Sequence, residues 1–213
     1  MKRLICIANS RRPDGRCVAA IDVDTGEFIR PVARQSDAIP ERRVYFGGRL
    51  LAVGDKFEVD LQRPRQISPY QRENRIIVNW NWKYRGRVSL KSLVEYCDGT
   101  TPLLHSTTDR VNPATLDQLL PEQWQSLQLV RLHKPRFERD ARDQHRWRVW
   151  FRDKAGGEYY LKITDPVVTH KLETGKSIGG EVLLLVSLTK PWAPPDGSKP
   201  PMCFKLVATV IER

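Results

Sequence analysis

The sequence predicts an all-β protein with a few short helices, built as two small barrels in tandem with a helical spacer. Short apolar runs bounded by Gly, Pro, Asp or Asn recur along both halves of the chain. Helix signals are confined to the middle. Because five short strands can form a small, partly open barrel of the OB type, we expect OB-like barrels at residues 1–108 and 128–213. A helical connector at residues 109–127 would separate them.

The first predicted element is a three-strand meander. Apolar runs at residues 4–9, 16–23 and 27–32 are separated by two turns that contain Asp and Gly. If Asn9 pairs with Arg16, both faces of the first two strands are apolar, which is typical of strands covered on both sides. The tip between these strands is polar and basic, and it carries Asn9, Ser10, Arg11, Arg12 and Arg16. A rigid sheet that presents such a loop commonly forms a binding site.

Further strands are predicted at residues 50–61 and 75–85. Apolar and polar side chains alternate in the second of these runs, so its faces differ. We expect one face, with Ile76, Val78, Trp80, Trp82 and Tyr84, to pack in the core. The opposite face, with Asn79, Asn81, Lys83 and Arg85, is either an ordinary solvated face or a ligand-facing one. In the connector, Asn112 and Pro113 favour the start of a short helix.

The clearest hairpin signal lies in the second half of the chain. Residues 145–152 and 158–164 alternate on either side of a five-residue turn that ends in two glycines. The predicted core pairs are Phe151 with Tyr159, Val149 with Leu161 and Trp147 with Ile163. The predicted solvent-facing pairs are Arg152 with Glu158, Trp150 with Tyr160 and Arg148 with Lys162, and Arg146 extends this face.

This solvent face has the composition that single-stranded nucleic acid requires. Exposed aromatic rings can each stack a base for about 1–3 kcal/mol, while Arg and Lys neutralise phosphates. The alternative is that Trp150 and Tyr160 pack under the helices of the connector. The predicted nucleic-acid-binding residues are Arg11, Arg12, Arg16, Arg30, Arg146, Arg148, Trp150, Tyr160 and Lys162.

The charge of the chain favours a polyanionic partner. The formal net charge is +11 and the isoelectric point is about 9.7, although solubility alone can account for such values. The charge is also clustered, because residues 62–91 hold eight basic residues and one acid. These basic residues are Arg63, Arg65, Arg72, Arg75, Lys83, Arg85, Arg87 and Lys91.

Two other classes of function stay open at this point. The first is a sensor or enzyme with a phosphate pocket for a nucleotide, formed by Asn9, Ser10, Arg11, Arg16 and Arg30, since Arg pairs bind phosphate in a bidentate manner. The second is an interaction module for acidic proteins. Geometry distinguishes the phosphate pocket from a site for single-stranded nucleic acid. A pocket requires these side chains to converge, whereas a groove that binds a nucleic-acid strand requires them in a line.

Several classes of site lack any motif in the sequence. The four cysteines form no C-x-x-C pair, and no phosphate loop, H-E-x-x-H or G-x-S-x-G motif occurs. We therefore expect no metal and no cofactor, and an enzyme stays open although no motif names its reaction. No apolar run approaches the roughly 18 residues that span a bilayer, and the apolar start is too short for a signal peptide. We therefore expect a cytoplasmic protein.

The opening segment resembles a known family. Its pattern is Leu4-Ile-Cys-Ile-Ala-Asn-Ser-Arg11, Gly15-Arg-Cys-Val-Ala and Gly26-Glu-Phe-Ile-Arg-Pro-Val32, and shorter matches follow at residues 132–135, 164–166, 188–192 and 204–208. This pattern is similar to that of the uncharacterised prokaryotic proteins with a dual OB domain. The resemblance covers essentially the whole chain. It implies two OB-type barrels and a nucleic-acid-binding role, with defence against foreign DNA as one context.

Overall fold

The computed structural model of the chain describes residues 1–12, 14–64 and 69–212. It contains two compact units. The first consists of Met1–Ile67 with Glu73–Tyr96, and the second consists of Ser68–Arg72 with Cys97–Arg213. The barrel boundaries expected at residues 108 and 127 stay predictions. Among the predicted basic residues, Arg65 lies outside the described part of the chain.

The first unit is built on a seven-stranded sheet with the strand order β7-β8-β3-β2-β1-β6-β9. Its strands are β1 (Lys2–Arg12), β2 (Gly15–Asp22), β3 (Phe28–Val32), β4 (Tyr45–Phe46), β5 (Arg49–Leu50), β6 (Asp55–Val59), β7 (Leu61–Gln62), β8 (Asn74–Ile77) and β9 (Lys83–Arg87). Strands β4 and β5 form a separate small hairpin. Short 3₁₀ helices occupy Glu41–Val44 and Leu90–Tyr96.

The first hairpin has a different register from the predicted one. Arg11, not Asn9, lies opposite Arg16, because β1 extends to Arg12, which lies opposite Gly15. A bulge after Cys6 adds one residue to β1, and this changes which side chains share a face with β2. The prediction that both faces are covered is confirmed, since Leu4 to Ala8 and Val18 to Ile21 are all buried.

The predicted strand at residues 75–85 is wrong as a single element. It ends at Ile77 in β8, which pairs with β3 and β7, and the chain resumes as β9 at the other edge of the sheet. Between them, the backbone N–H of Asn81 donates to Asn79 Oδ1, and Asn79 Nδ2 donates to Asp60. A side chain that bonds the backbone locally competes with a strand ladder, which accounts for the break.

The second unit contains a seven-stranded sheet, in which six strands have the order β11-β15-β16-β14-β13-β12 and β10 also pairs with β16. Its strands are β10 (Arg110–Val111), β11 (Leu127–His133), β12 (Arg136–Asp140), β13 (Asp143–Arg152), β14 (Glu158–Ile163), β15 (Glu181–Leu188) and β16 (Cys203–Glu212). The helices are α1 (Pro113–Leu116) and α2 (Pro166–Glu173), with 3₁₀ turns at Leu103–His105 and Pro121–Gln123. Asn112 caps α1 by accepting from the N–H of Ala114, as predicted.

The predicted hairpin between β13 and β14 is confirmed. Its ladder runs from the pair of Arg148 with Lys162 to the pair of Arg152 with Glu158, in the predicted register. Val149, Phe151, Tyr159 and Leu161 are buried in the core of the unit. The alternation of the sequence therefore identified the core face of these strands, and the other face is the one available for binding.

A lysine is buried beside this core. Lys205 on β16 donates through Nζ to the backbone oxygens of Ser106 and Thr108, at 2.6 and 2.8 Å, and to the Ser106 hydroxyl. The amine also lies 5.0 Å from the centre of the Tyr159 ring. Burial lowers the pKa of Lys205 to about 7, although the nearby Asp109 and Asp153 carboxylates act in the opposite direction.

The lowered pKa of Lys205 makes the free energy of unfolding depend on pH. Above about pH 7 the folded state releases a proton that the unfolded chain holds up to about pH 10.4, so the free energy of unfolding rises with pH, by at most about 1.4 kcal/mol per unit from this group. Denaturant unfolding at about pH 7 and about pH 8.5 measures the slope. We expect Lys205→Met to reduce it and Lys199→Met, at an exposed lysine, to retain it. An unchanged slope in Lys205→Met would contradict the assignment.

Candidate nucleic-acid interface

The candidate interface lies on one face of strands β12, β13 and β14. The strand register places Arg136, Trp150 and Tyr160 in one row across the three strands. The adjacent row contains Glu138, Arg148 and Lys162. Residues directly opposite one another on paired strands point to the same face. We call this surface the ring face and define it as Arg136, Arg148, Trp150, Arg152, Tyr160 and Lys162.

The two rings of the ring face lie outside the core as the described residues define it. Each is half-buried and covered by guanidinium groups of the same sheet. Arg136 and Arg152 lie over Trp150, with 5.3 and 5.5 Å between the guanidinium carbon and the ring centre, and Arg148 lies over Tyr160 at 4.9 Å. Such cation–π contacts hold flat groups parallel to one another.

The arginines of this region are also paired with carboxylates. Arg148 Nε lies 2.5 Å from Asp140 Oδ2, and its hydrogen bond holds the pKa of Asp140 below the ordinary value. Arg146 pairs with Asp143, Arg152 with Glu158, and Arg136 with Glu138. Residues 136–163 hold eight basic and five acidic side chains, so the region keeps an excess of positive charge. A phosphate that binds one of these four arginines competes with the carboxylate already paired with it.

Lys162 is a half-buried cation of the ring face. Burial lowers its pKa, with a further lowering by Arg146 and Arg148. Within the described residues, no carboxylate comes within ion-pairing distance of its amine. An anion on this face would therefore relieve the repulsion between Lys162 and the two arginines.

The predicted basic tip of the first unit is only partly exposed in the structure. Arg16 is buried and its guanidinium lies 2.5 Å from Glu41 Oε1, whereas Arg11 is exposed and Arg12 pairs loosely with Asp14 at 3.6 Å. Asn9 donates to the backbone oxygen of Leu51, and Ser10 donates to that of Cys17. These polar groups mainly hold the hairpin to the rest of the unit.

The five residues of the predicted phosphate pocket do not converge. Side chains alternate between the two faces along each strand, so Arg16 and Ala20 of β2 share one face. Ile29 of β3 lies opposite Ala20 and shares that face, and the next residue, Arg30, points to the other face. Arg30 is buried there and donates to Asn74 Oδ1 at 3.0 Å. Arg16 and Arg30 thus have structural partners on opposite sides of one sheet.

One residue of the ring face was missed at the sequence level. Arg136 lies in a charged segment that carried no strand prediction, but the structure pairs it with Trp150 across β12 and β13. The signal was the alternation of Arg136, Phe137 and Glu138, in which Phe137 packs against the core. An edge strand with a charged outer face presents few apolar residues, which is why it is easily overlooked.

The strand content and the two curled sheets define a class: this is an all-β protein of tandem OB-like domains. Residues 2–210 match the family model described as the dual OB-containing domain, and the chain belongs to this family. The resemblance inferred from the opening segment is therefore confirmed. No curated protein matches the chain.

Metal-binding clusters and membrane-spanning helices are both absent from the described part of the chain. Among residues 1–12, 14–64 and 69–212, no group of three or more His, Cys, Asp or Glu side chains is placed to hold a metal ion. Over the same residues, no helix has the length and apolar character required to cross a membrane.

Proposed function

We propose that the protein binds single-stranded nucleic acid through the ring face of its second unit. OB domains generally bind nucleic acids or oligonucleotides, and the family assignment supports this class of ligand. The observation that carries the proposal is that Trp150 and Tyr160 lie outside the core, in a row with Arg136, on a face that also presents Arg148 and Lys162.

The ring face offers both of the contacts that a single strand uses. Bases stack on aromatic rings or on the plane of a guanidinium group, so the arginines that cover Trp150 and Tyr160 extend the stacking surface. Phosphate matches the fork of a guanidinium as well as carboxylate does. In this scheme phosphates displace Glu138, Asp140 or Glu158 from the arginines of the ring face as bases stack on that face.

The basic tip of the first unit contributes to the proposal through its exposed members. Arg11 and Arg12 are exposed and positioned to contact phosphates, whereas Arg16 and Arg30 hold the sheet through Glu41 and Asn74. Defence against foreign DNA and a cytoplasmic location stay predictions from the sequence. Neither is required for the experiment below.

The first test is the substitution Trp150→Leu, which removes a ring but keeps an apolar side chain. Loss of one stacked base weakens binding by about 1–3 kcal/mol, or roughly 5- to 140-fold in Kd. Fluorescence anisotropy with labelled single-stranded and duplex DNA and RNA, at two salt concentrations, measures the change. The matched control is Trp192→Leu, at a tryptophan of the same unit that is 54% exposed and lies outside the ring face.

The outcomes of this test are distinct. We expect wild type and Trp192→Leu to bind single strands with equal affinity and a log–log salt slope of about −0.7 per phosphate neutralised. Absence of binding by the wild type at low salt, for every oligonucleotide, would overturn the proposed function. Equal binding by Trp150→Leu and Trp192→Leu, with both variants folded, would remove the ring face as the site.

A further inference from the structure

The first unit contains a row of four aromatic rings with an arginine at each end. Trp80 and Trp82 have ring centres 6.5 Å apart at an angle of 20°, and Trp82 lies 6.2 Å from Phe46. Phe46 in turn lies 6.2 Å from Tyr84. Arg43 covers the Trp80 ring at 5.4 Å, and Arg49 covers the Tyr84 ring at 5.2 Å. We call these six residues the aromatic ladder.

The ladder lies at the margin of the core and reaches solvent. Trp80, Trp82 and Phe46 are partly buried against the core of the first unit, and Tyr84 is 40% exposed. Beneath the row, Phe57 stacks on Trp82 with 5.1 Å between ring centres and an angle of 12°. A buried ring therefore fixes the inner side of the ladder, while its outer side remains accessible.

The charge beside the ladder is positive and is not neutralised locally. Arg42 and Arg43 are exposed, and no carboxylate lies within ion-pairing distance of either in the described part of the chain. The neighbouring acids have other partners. Glu41 pairs with Arg16, and the buried Asp55 pairs with both Arg49 and Arg87. Unlike the ring face, this surface offers guanidinium groups to which a phosphate can bind without displacing a carboxylate.

We propose that the aromatic ladder is a second nucleic-acid site, in which unpaired bases stack on the rings and phosphates bind Arg42 and Arg43. This inference rests on the proposed function, since the ligand is the same. The ring spacing of 6.2–6.5 Å is about twice the ~3.4 Å rise per nucleotide of a stacked strand. The ladder therefore suits a stretched strand with separated bases, and it disfavours a duplex.

The variants Tyr84→Ala and Tyr45→Ala test the ladder. Both tyrosines are exposed, at 40% and 45%, but Tyr45 belongs to the same small hairpin as Phe46 and makes no ring contact in the ladder. Anisotropy titrations with labelled oligothymidylate should show Tyr84→Ala to be about 5- to 140-fold weaker than Tyr45→Ala. Near-ultraviolet circular dichroism verifies that both variants are folded.

A second measurement separates charge from stacking. In the double variant R42E and R43E, the log–log salt slope should become shallower by about 0.7 for each phosphate that the protein no longer neutralises. Failure of the wild type to bind would overturn the proposed function and the ladder together. Wild-type binding that depends on Trp150, with Tyr84→Ala equal to Tyr45→Ala and an unchanged salt slope, would overturn the ladder alone. Weaker binding by both Tyr84→Ala and Trp150→Leu would support one site in each unit.

Discussion

Phe57→Ala is expected to lower the free energy of unfolding by about 3–5 kcal/mol, because it removes a large buried ring from the core of the first unit. Phe57 lies on β6, opposite Leu4 of β1 and Tyr84 of β9. Its ring also stacks on Trp82, and an aromatic pair contributes about 0.5–1.5 kcal/mol beyond the area it buries. Urea or guanidinium unfolding of the purified variant measures the decrease.

The comparison for this prediction is Val78→Ala, at an apolar residue of the same unit that is 47% exposed. A surface truncation of this kind changes stability by less than about 0.5 kcal/mol. Phe57→Ala should also weaken oligonucleotide binding at temperatures where it is folded, since the ladder loses its support. A stability change below about 1 kcal/mol would show that the core collapses around the missing ring and that Phe57 does not organise the ladder.

The hairpin of β13 and β14 shows what the sequence can determine. Its charged residues fall on one face of the two strands, its turn has five residues, and both signals lead to one register. A slip of one residue would bring Arg148 or Arg152 into the core, which is energetically prohibitive, so few alternatives compete. The core face, the ring face and the opposition of Trp150 and Tyr160 were therefore all predictable from local pattern.

The first hairpin shows where that reasoning fails. Its strands are apolar on both faces, so no register places a charge in the core and the pattern does not discriminate. The bulge after Cys6 lies in a run of small and branched apolar residues that carries no bulge signal such as Gly. The predicted pairing of Asn9 with Arg16 was therefore wrong, and Cys6 lies opposite Ala20, although the prediction of a fully covered sheet was correct.

The ring face could be predicted from the sequence and the aromatic ladder could not, because only the ring face is formed mainly by residues close together in the chain. The rings of the ring face come from one hairpin. The ladder instead joins Trp80, Trp82 and Tyr84 to Phe46 and Arg49, which belong to the small hairpin of β4 and β5, far away in the sequence. Such a contact depends on tertiary packing and leaves no periodic pattern. The net charge was not informative at this level either. The total of +11 did not show that the arginines of the ring face are paired with carboxylates, nor that Arg42 and Arg43 have no such partner among the described residues.

Gly15→Ala should lower the free energy of unfolding by about 2–6 kcal/mol. Gly15 has φ +143°, and a methyl group on it would lie 2.4 Å from the carbonyl oxygen of Ile39. Backbone strain and overpacking each cost about 1–3 kcal/mol. The same oxygen accepts from the N–H of Arg16, so relief of the clash separates β2 from the segment that leads to Glu41. Chemical unfolding of wild type and variant measures this effect.

Gly48→Ala is the matched control, because Gly48 also has a positive φ, +81°, but no atom lies within 4 Å of the added methyl group. Only the conformational cost of about 1–2 kcal/mol is expected there. The amount by which Gly15→Ala is more destabilised than Gly48→Ala measures the cost of the close approach to Ile39. Equal destabilisation of the two variants would contradict that contact. Because the Ile39 segment continues into the 3₁₀ helix that carries Arg42 and Arg43, Gly15→Ala should also weaken oligonucleotide binding.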